Sequence, residues 1–127
     1  MQSPTDLCKI ALQHGCLKSS IYKRYNNHIS CHHYTYQYHK LFKHLRENNF
    51  NMLEIGIGNP NLTKFNHFYK MNTKKTGANL FMWRDYFKNA HIYGIDINEN
   101  NLVNTTRISS FKSNQIDSKN INAWRYM

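Results

Sequence analysis

Two short apolar runs most constrain what this chain can fold into. NMLEI at 51–55 is followed at once by Gly56 and Gly58, and HIYGIDI at 91–97 carries Asp96 at its end. Between them, ANLFMWRDYF at 78–87 sets Leu80, Trp83 and Phe87 at helical spacing behind Thr76-Gly77, and RISSFKS at 107–113 reads as a third strand with Ile108 and Phe111 as core candidates. Residues 99–104 supply one or two helical turns before it. The order β, α, β, α, β predicts a parallel sheet with helices packed on it.

The first 50 residues read differently. Ser3-Pro4-Thr5-Asp6 places a capping residue, a proline and an acid where a helix starts, so a helix is expected from there to about Gln13, with Gly15 ending it. Residues 16–30 lack a period and read as a loop. From His33 to Arg46 the residues Tyr34, Tyr38, Leu41, Phe42 and Leu45 recur at helical spacing, which predicts a second amphipathic helix. Ser118 opens an expected last helix with Ile121 and Trp124 on one side. With 127 residues there is room for one domain, divided into an N-terminal helical segment, 1–50, and an α/β segment, 51–127.

Charge and cysteine content narrow the function classes. The formal net charge is +10, yet the bases are scattered and form no run of five or six, so a solvated basic surface is expected rather than a nucleic-acid site. No stretch approaches the roughly 18 apolar residues of a membrane helix, and MQSPTDLCK lacks the order of a signal peptide. A cytoplasmic protein that does not enter a membrane is expected. Cys8, Cys16 and Cys31 contain no C-x-x-C pair, so reduced thiols are expected. Cys31, His32 and His33 are adjacent and cannot converge on one ion without distorting the backbone, so no metal centre is expected there.

In parallel α/β folds ligands bind beyond the carboxyl ends of the strands. Gly56 and Gly58 occupy that place after the first strand, where positive φ and the missing Cβ let a ligand reach the main chain. Asp96 ends the second strand, placed to accept hydrogen bonds from two hydroxyls such as a ribose presents. Together they describe a nucleoside-containing ligand laid across two strand ends. A dinucleotide fits poorly: its fingerprint wants a third glycine where Asn61 stands, and Pro60 biases Asn59 away from helical geometry. Asp96 lies 38 residues beyond Gly58, against about 20 in that fingerprint. The excess matches the segment 59–76, an inserted loop that suits a ligand without a phosphate.

LEIGIGNP, followed by TGANLFMWRDYFKNAHIYGIDIN, resembles the class I S-adenosylmethionine-dependent methyltransferases, in the group of macrolide-sugar O-methyltransferases and cephalosporin hydroxylase-like proteins. The Met-Trp-Arg-Asp-Tyr-Phe block at 82–87 is its most specific part. HHYTYQYHKLF resembles the group's H-x-Y-T-x-x-Y helix, and RISSFKSNQID its third strand and following turn, so the resemblance spans most of residues 14–118. It implies an incomplete Rossmann-like parallel sheet with N-terminal helices, residues 51–127 being the first half of a methyltransferase domain. It implies further that Glu54, Gly56 and Gly58 hold the methionine part of S-adenosylmethionine, that Asp96 binds its ribose, and that Asn114 and Gln115 lie near the adenine. His33, Tyr34 and Tyr38 would help close the site.

The departures from the group bear on chemistry. The group's Gly-Thr-Asp-Lys is Gly15-Cys16-Leu17-Lys18 here, which removes a carboxylate, and Asn114 replaces an acid. The group's Asp-Asp-x-x-His segment, which binds Mg and supplies a base, follows a fourth strand and is not matched by any part of this chain. Deprotonating a sugar hydroxyl needs a base or a metal, so the resemblance implies a cofactor-binding part of an O-methyltransferase, with Mg and a sugar-containing acceptor belonging to a complete enzyme and no catalytic residue assigned here. The first strand would present an open edge to a partner chain or a second copy. A non-catalytic basic scaffold on the same fold, meeting nucleic acid through its charge, is the alternative reading.

Overall fold

A computed structural model describes residues 2–16, 18–20, 33–58, 76–114 and 116. The expected loop 59–76, except for its last residue, and the expected helix from Ser118 lie outside the described residues, as does Gln115.

Helix α1, Asp6–Gln13, begins where the sequence reading placed it: the Thr5 hydroxyl accepts from the Cys8 N–H at 3.2 Å, with Asp6 in the first turn. Its end is a Schellman turn. Gly15 adopts φ +66°, its N–H donates to the Leu12 carbonyl at 3.0 Å, and the Cys16 N–H donates to the Ala11 carbonyl at 2.8 Å. The apolar contact that accompanies such turns is made by Ala11 and Cys16, both buried. Helix α2, Thr35–Phe42, runs on into a 3-10 turn, Lys43–Leu45. Its buried stripe passes through Thr35, Tyr38 and Phe42, with Leu45 also packed on the core. Tyr34 and Leu41, expected in that stripe, are exposed at its rim. The helix is rotated inward at Thr35, whose hydroxyl donates to Cys8 Sγ and accepts from the Ser20 N–H.

Strand β1, Asn51–Ile55, strand β2, His91–Asp96, and strand β3, Ile108–Lys112, form one parallel sheet in the order β1-β2-β3. Glu54 pairs with Gly94, and Gly94 with Ser110. Helix α3, Ala78–Tyr86, crosses between β1 and β2 and buries Leu80, Met82, Trp83 and Tyr86. It approaches the sheet at Gly94, where a Cβ would meet Leu80 Cδ1 at 2.9 Å and the Ile57 side chain at 3.1 Å. Leu7, Ala11 and Cys16 share one core with Trp83, Phe87, Ile92 and Ile108, so the N-terminal helix is part of what holds α3 against the sheet. Tyr38, Phe42 and Phe87 ring Trp83 at centroid distances of 5.5, 6.3 and 5.4 Å.

The parallel α/β fold with flanking helices is the one read from the sequence. One detail is corrected: Phe111, expected in the core, is 43% exposed. Alternation along β3 turns Ile108 and Ser110 toward α3 and puts Phe111 on the opposite face, in a row with Ile55 and Ile95. No described helix covers that face, and Leu53 and Ile55 are exposed there too. β1 is an edge strand among the described residues. None of the described helices is long and apolar enough to cross a membrane.

Candidate functional site at the strand ends

The ladder between β1 and β2 continues one residue past Ile55, because the Gly56 N–H donates to the Ile95 carbonyl at 2.8 Å. The chain then turns through two left-handed residues, Gly56 at φ +83° and Gly58 at φ +77°. A side chain at either would be strained by backbone geometry, yet a Cβ there would touch nothing within 4 Å. The glycines therefore serve the turn and leave open space in front of it.

Asp96 faces this turn from the end of β2. Its Oδ2 accepts from the Ile57 N–H at 2.9 Å and the Gly58 N–H at 3.1 Å, and its Oδ1 from the Asn98 N–H at 2.8 Å. Burial alone would push its carboxyl up. The N–H groups of Asn98, Gly58 and Ile57, helped by the Asn101 side chain, outweigh burial and hold it below the ordinary Asp value. Asp96 is thus an anion that organises the glycine turn, with lone pairs remaining on Oδ1. Beside it, Asn101 Oδ1 and Ser113 Oγ are buried without a hydrogen-bond partner among the described residues, and the Ser113 N–H donates to the Asp96 carbonyl at 2.9 Å.

Glu54, at the end of β1, is tied into the surrounding scaffold. Its Oε2 accepts from Trp83 Nε1 at 2.8 Å and its Oε1 from Asn79 Nδ2 at 3.0 Å, with Lys18 Nζ at 3.6 Å. Asn79 also accepts from Cys16 Sγ at 2.7 Å, so the Glu54 carboxylate ties the end of β1 to α3 and to the turn after α1. Burial raises its carboxyl, and Lys18, Trp83 and Asn79 act against that rise.

Other sequence-predicted residues make contacts of their own. Asn114 Oδ1 accepts from the Ile116 N–H at 3.1 Å and shapes the turn after β3. Tyr38 packs on Trp83, Tyr34 is 43% exposed, and His33 Nδ1 lies 3.4 Å from the Ser20 carbonyl. Arg84 pairs with Asp85 at 3.1 Å. Among the described residues no three His, Cys, Asp or Glu side chains are gathered as a metal would need; Cys31 and His32 lie outside them.

Three features escaped sequence reasoning. Asn79 and Trp83 are four apart on one helix and present an amide and an indole N–H to the same side, a signal that could have paired them with the acid of β1. Lys18 was noted only within Gly15-Cys16-Leu17-Lys18, with no link to Glu54. Arg107 carried no signal: at φ +60°, it donates to the carbonyls of Phe87, Ala90 and Arg84 and closes the end of α3.

A parallel sheet with a glycine turn after the first strand, and an acid after the second that receives the turn's N–H groups, defines a Rossmann-like ligand-binding fold. The chain belongs to the class I S-adenosylmethionine-dependent methyltransferases, among the relatives of the macrolide and tetracenomycin sugar O-methyltransferases. It is 31% identical over 88 residues to the mycinamicin VI 2''-O-methyltransferase of Micromonospora griseorubida, a match that covers 69% of this chain and 20% of that protein. It is 28% identical over 114 residues to the 8-demethyl-8-(2-methoxy-alpha-L-rhamnosyl)-tetracenomycin-C 3'-O-methyltransferase of Streptomyces olivaceus, covering 90% of this chain and 24% of that protein. The MycE methyltransferase of the mycinamycin biosynthetic pathway, solved with Mg, SAH and mycinamycin VI, superposes with a TM-score of 0.66 at 25% identity over 97% of this chain and 29% of that one. A second structure of it, with Mg and SAH, gives the same score over 98% and 28%. No family model matches the chain. The chain spans a fifth to a quarter of the length of these curated relatives.

Proposed function

We propose that this chain forms the S-adenosylmethionine-binding part of an O-methyltransferase that, in its complete form, methylates a sugar hydroxyl. The observation that carries the reading is the pairing of Asp96 with the Gly56–Gly58 turn: an anion fixed at the second strand end, beside glycines with open space before them. Asp96 Oδ1 accepts from a ribose hydroxyl, and the buried Asn101 Oδ1 and Ser113 Oγ supply further partners nearby. The turn admits the methionine portion at contact distance from the main chain, and Asn114, with Gln115, borders the adenine. Glu54 acts by holding β1, α3 and the N-terminal turn in register around this seat. The residues fit the cofactor, which when bound supplies an electrophilic methyl group on its sulfonium.

Mg does not find a comparable fit, since the described residues gather no donor set for it. The sugar acceptor follows from the relatives named above, whose activities are 2''- and 3'-O-methylations. The exposed edge of β1 is the place where a further strand, from a partner or a second copy, adds to the sheet. Residues 1–50 and 51–127 act as one unit, because α1 and the sheet share a core. The direct test is calorimetric titration with S-adenosylhomocysteine: saturable binding at one site supports the reading, and no heat at any accessible concentration refutes it.

A further inference from the structure

Tyr86 is wholly buried at the end of α3, where groups from the N-terminal segment meet it. His39 of α2 brings Nδ1 to 2.9 Å from the Tyr86 hydroxyl, with its ring edge-on at a centroid distance of 5.9 Å. The Arg46 guanidinium lies 4.6 Å from the centre of the Tyr86 ring, its Nε donates to the Tyr86 carbonyl at 3.4 Å, and its Nη1 donates to Asp6 Oδ2 of α1 at 2.8 Å. Burial pushes the Tyr86 hydroxyl up to about 12, so it keeps its proton, and a buried phenol needs an acceptor. Nδ1 of a neutral His39 is that acceptor.

We propose that the bond between neutral His39 and Tyr86 is a pH-sensitive latch, which holds α2 on α3 and opens when the His39 ring takes a second proton. A ring protonated on both nitrogens has no acceptor at Nδ1, so its N–H meets the Tyr86 O–H donor against donor, or turns that hydroxyl away from its partner. It also sets a cation beside Arg46 and Lys43, while the carboxylate that faces it, Asp6, is already bonded to Arg46. Burial first, and the Arg46 guanidinium second, hold the ring below the ordinary His value; Lys43 adds to the depression and Asp6 opposes it. A depressed group contributes stability that is full above its unfolded value, about 6.5, and is lost as pH falls through the folded one. The other His tie to α3 has the opposite sign: protonation of His14 strengthens its pairing with Asp85, so α1 stays docked while α2 loosens. Helix α2 also lays Tyr38 and Phe42 on Trp83, whose Nε1 donates to Glu54, so the latch governs how firmly the end of β1 is held.

The experiment follows amide hydrogen exchange of α2, with β2 as internal reference, in the full 127-residue chain at about pH 7 and about pH 5, corrected for the intrinsic pH dependence of exchange. Protection over Thr35–Phe42 should fall at least about fivefold more than that of β2, the worth of one hydrogen bond in an opening equilibrium. His39→Gln, whose amide oxygen can still accept from Tyr86 but does not titrate, should keep the protection seen at neutral pH and lose the pH dependence. Equal change in α2 and β2, or the wild-type pH dependence retained in His39→Gln, would overturn the proposal. Should His39→Gln fail to fold, NMR titration of the His39 ring in the wild type decides. A midpoint below the ordinary His range that coincides with the loss of α2 protection supports the latch, whereas a midpoint in or above that range, or one apart from the loss, overturns it.

Discussion

Replacing Asp96 by Asn isolates what the anion does for the fold before any ligand arrives. Oδ2 holds two N–H groups and Oδ1 a third, at 2.9, 3.1 and 2.8 Å. An amide can keep its oxygen on Ile57 and Gly58, but its NH2 then faces the Asn98 N–H, donor against donor. Each retained bond falls from the charged to the neutral range, about 1 kcal/mol apiece, and the orphaned donor adds about 1–2 kcal/mol. Gly58 is exposed and its N–H can turn to water, so the sum is about 2–3 kcal/mol. The sign with pH follows from the depressed carboxyl. A group whose folded value lies below its unfolded one contributes stability that is present above the unfolded value and lost as pH falls through the folded one. Asp6 and Asp85 are depressed too and Glu54 is raised, so the difference between wild type and variant, rather than either curve, reports on Asp96. Urea unfolding followed by tryptophan fluorescence should show the full gap at pH 7 and a narrowing gap below about pH 4, the ordinary Asp range. A variant within about 0.5 kcal/mol of wild type at pH 7, or a gap constant with pH, would refute the reasoning.

Gly56→Ala meets no steric obstacle, so its cost is that of left-handed backbone alone, about 1–2 kcal/mol by thermal unfolding, with weaker S-adenosylhomocysteine binding because the new methyl enters the open space. Trp83→Phe removes the donor to Glu54 Oε2 and should cost about 1–3 kcal/mol in excess of the lost packing. Made on a Glu54→Gln background it should cost less, and a double-mutant cycle with no coupling energy would show that the pair is not a structural tie.

What the sequence disclosed was local. Strand ends, the glycine pair, Asp96 and the buried stripe of α3 follow from periodicity and turn chemistry within a dozen residues of each other in the chain, and all lie where they were expected. What it concealed depends on distant partners. Nothing near Glu54 in the chain discloses that its two oxygens are bound by side chains 25 and 29 residues away. Phe111 read as core because it is apolar in a strand, but which sheet face is covered is decided by the helices, and α3 covers the other, leaving Leu53 and Ile55 exposed with it. Tyr34 and Leu41 were misplaced by a smaller effect, the inward rotation of α2 about the Thr35 hydroxyl bonds. Arg107 depends on three carbonyls at the end of a helix that precedes it by more than a dozen residues, which no spacing rule discloses.

The central claim is that Asp96 and the glycine turn form one nucleoside seat, and titration of S-adenosylhomocysteine into the wild-type chain and Asp96→Ala, at low and at high salt, tests it most directly. Saturable binding that changes little with salt and falls by at least about tenfold in Asp96→Ala is the predicted result, since a hydroxyl bonded to an anion is worth about 1.5–3 kcal/mol. Equal affinity in wild type and Asp96→Ala, or no binding by the wild type, would contradict the account.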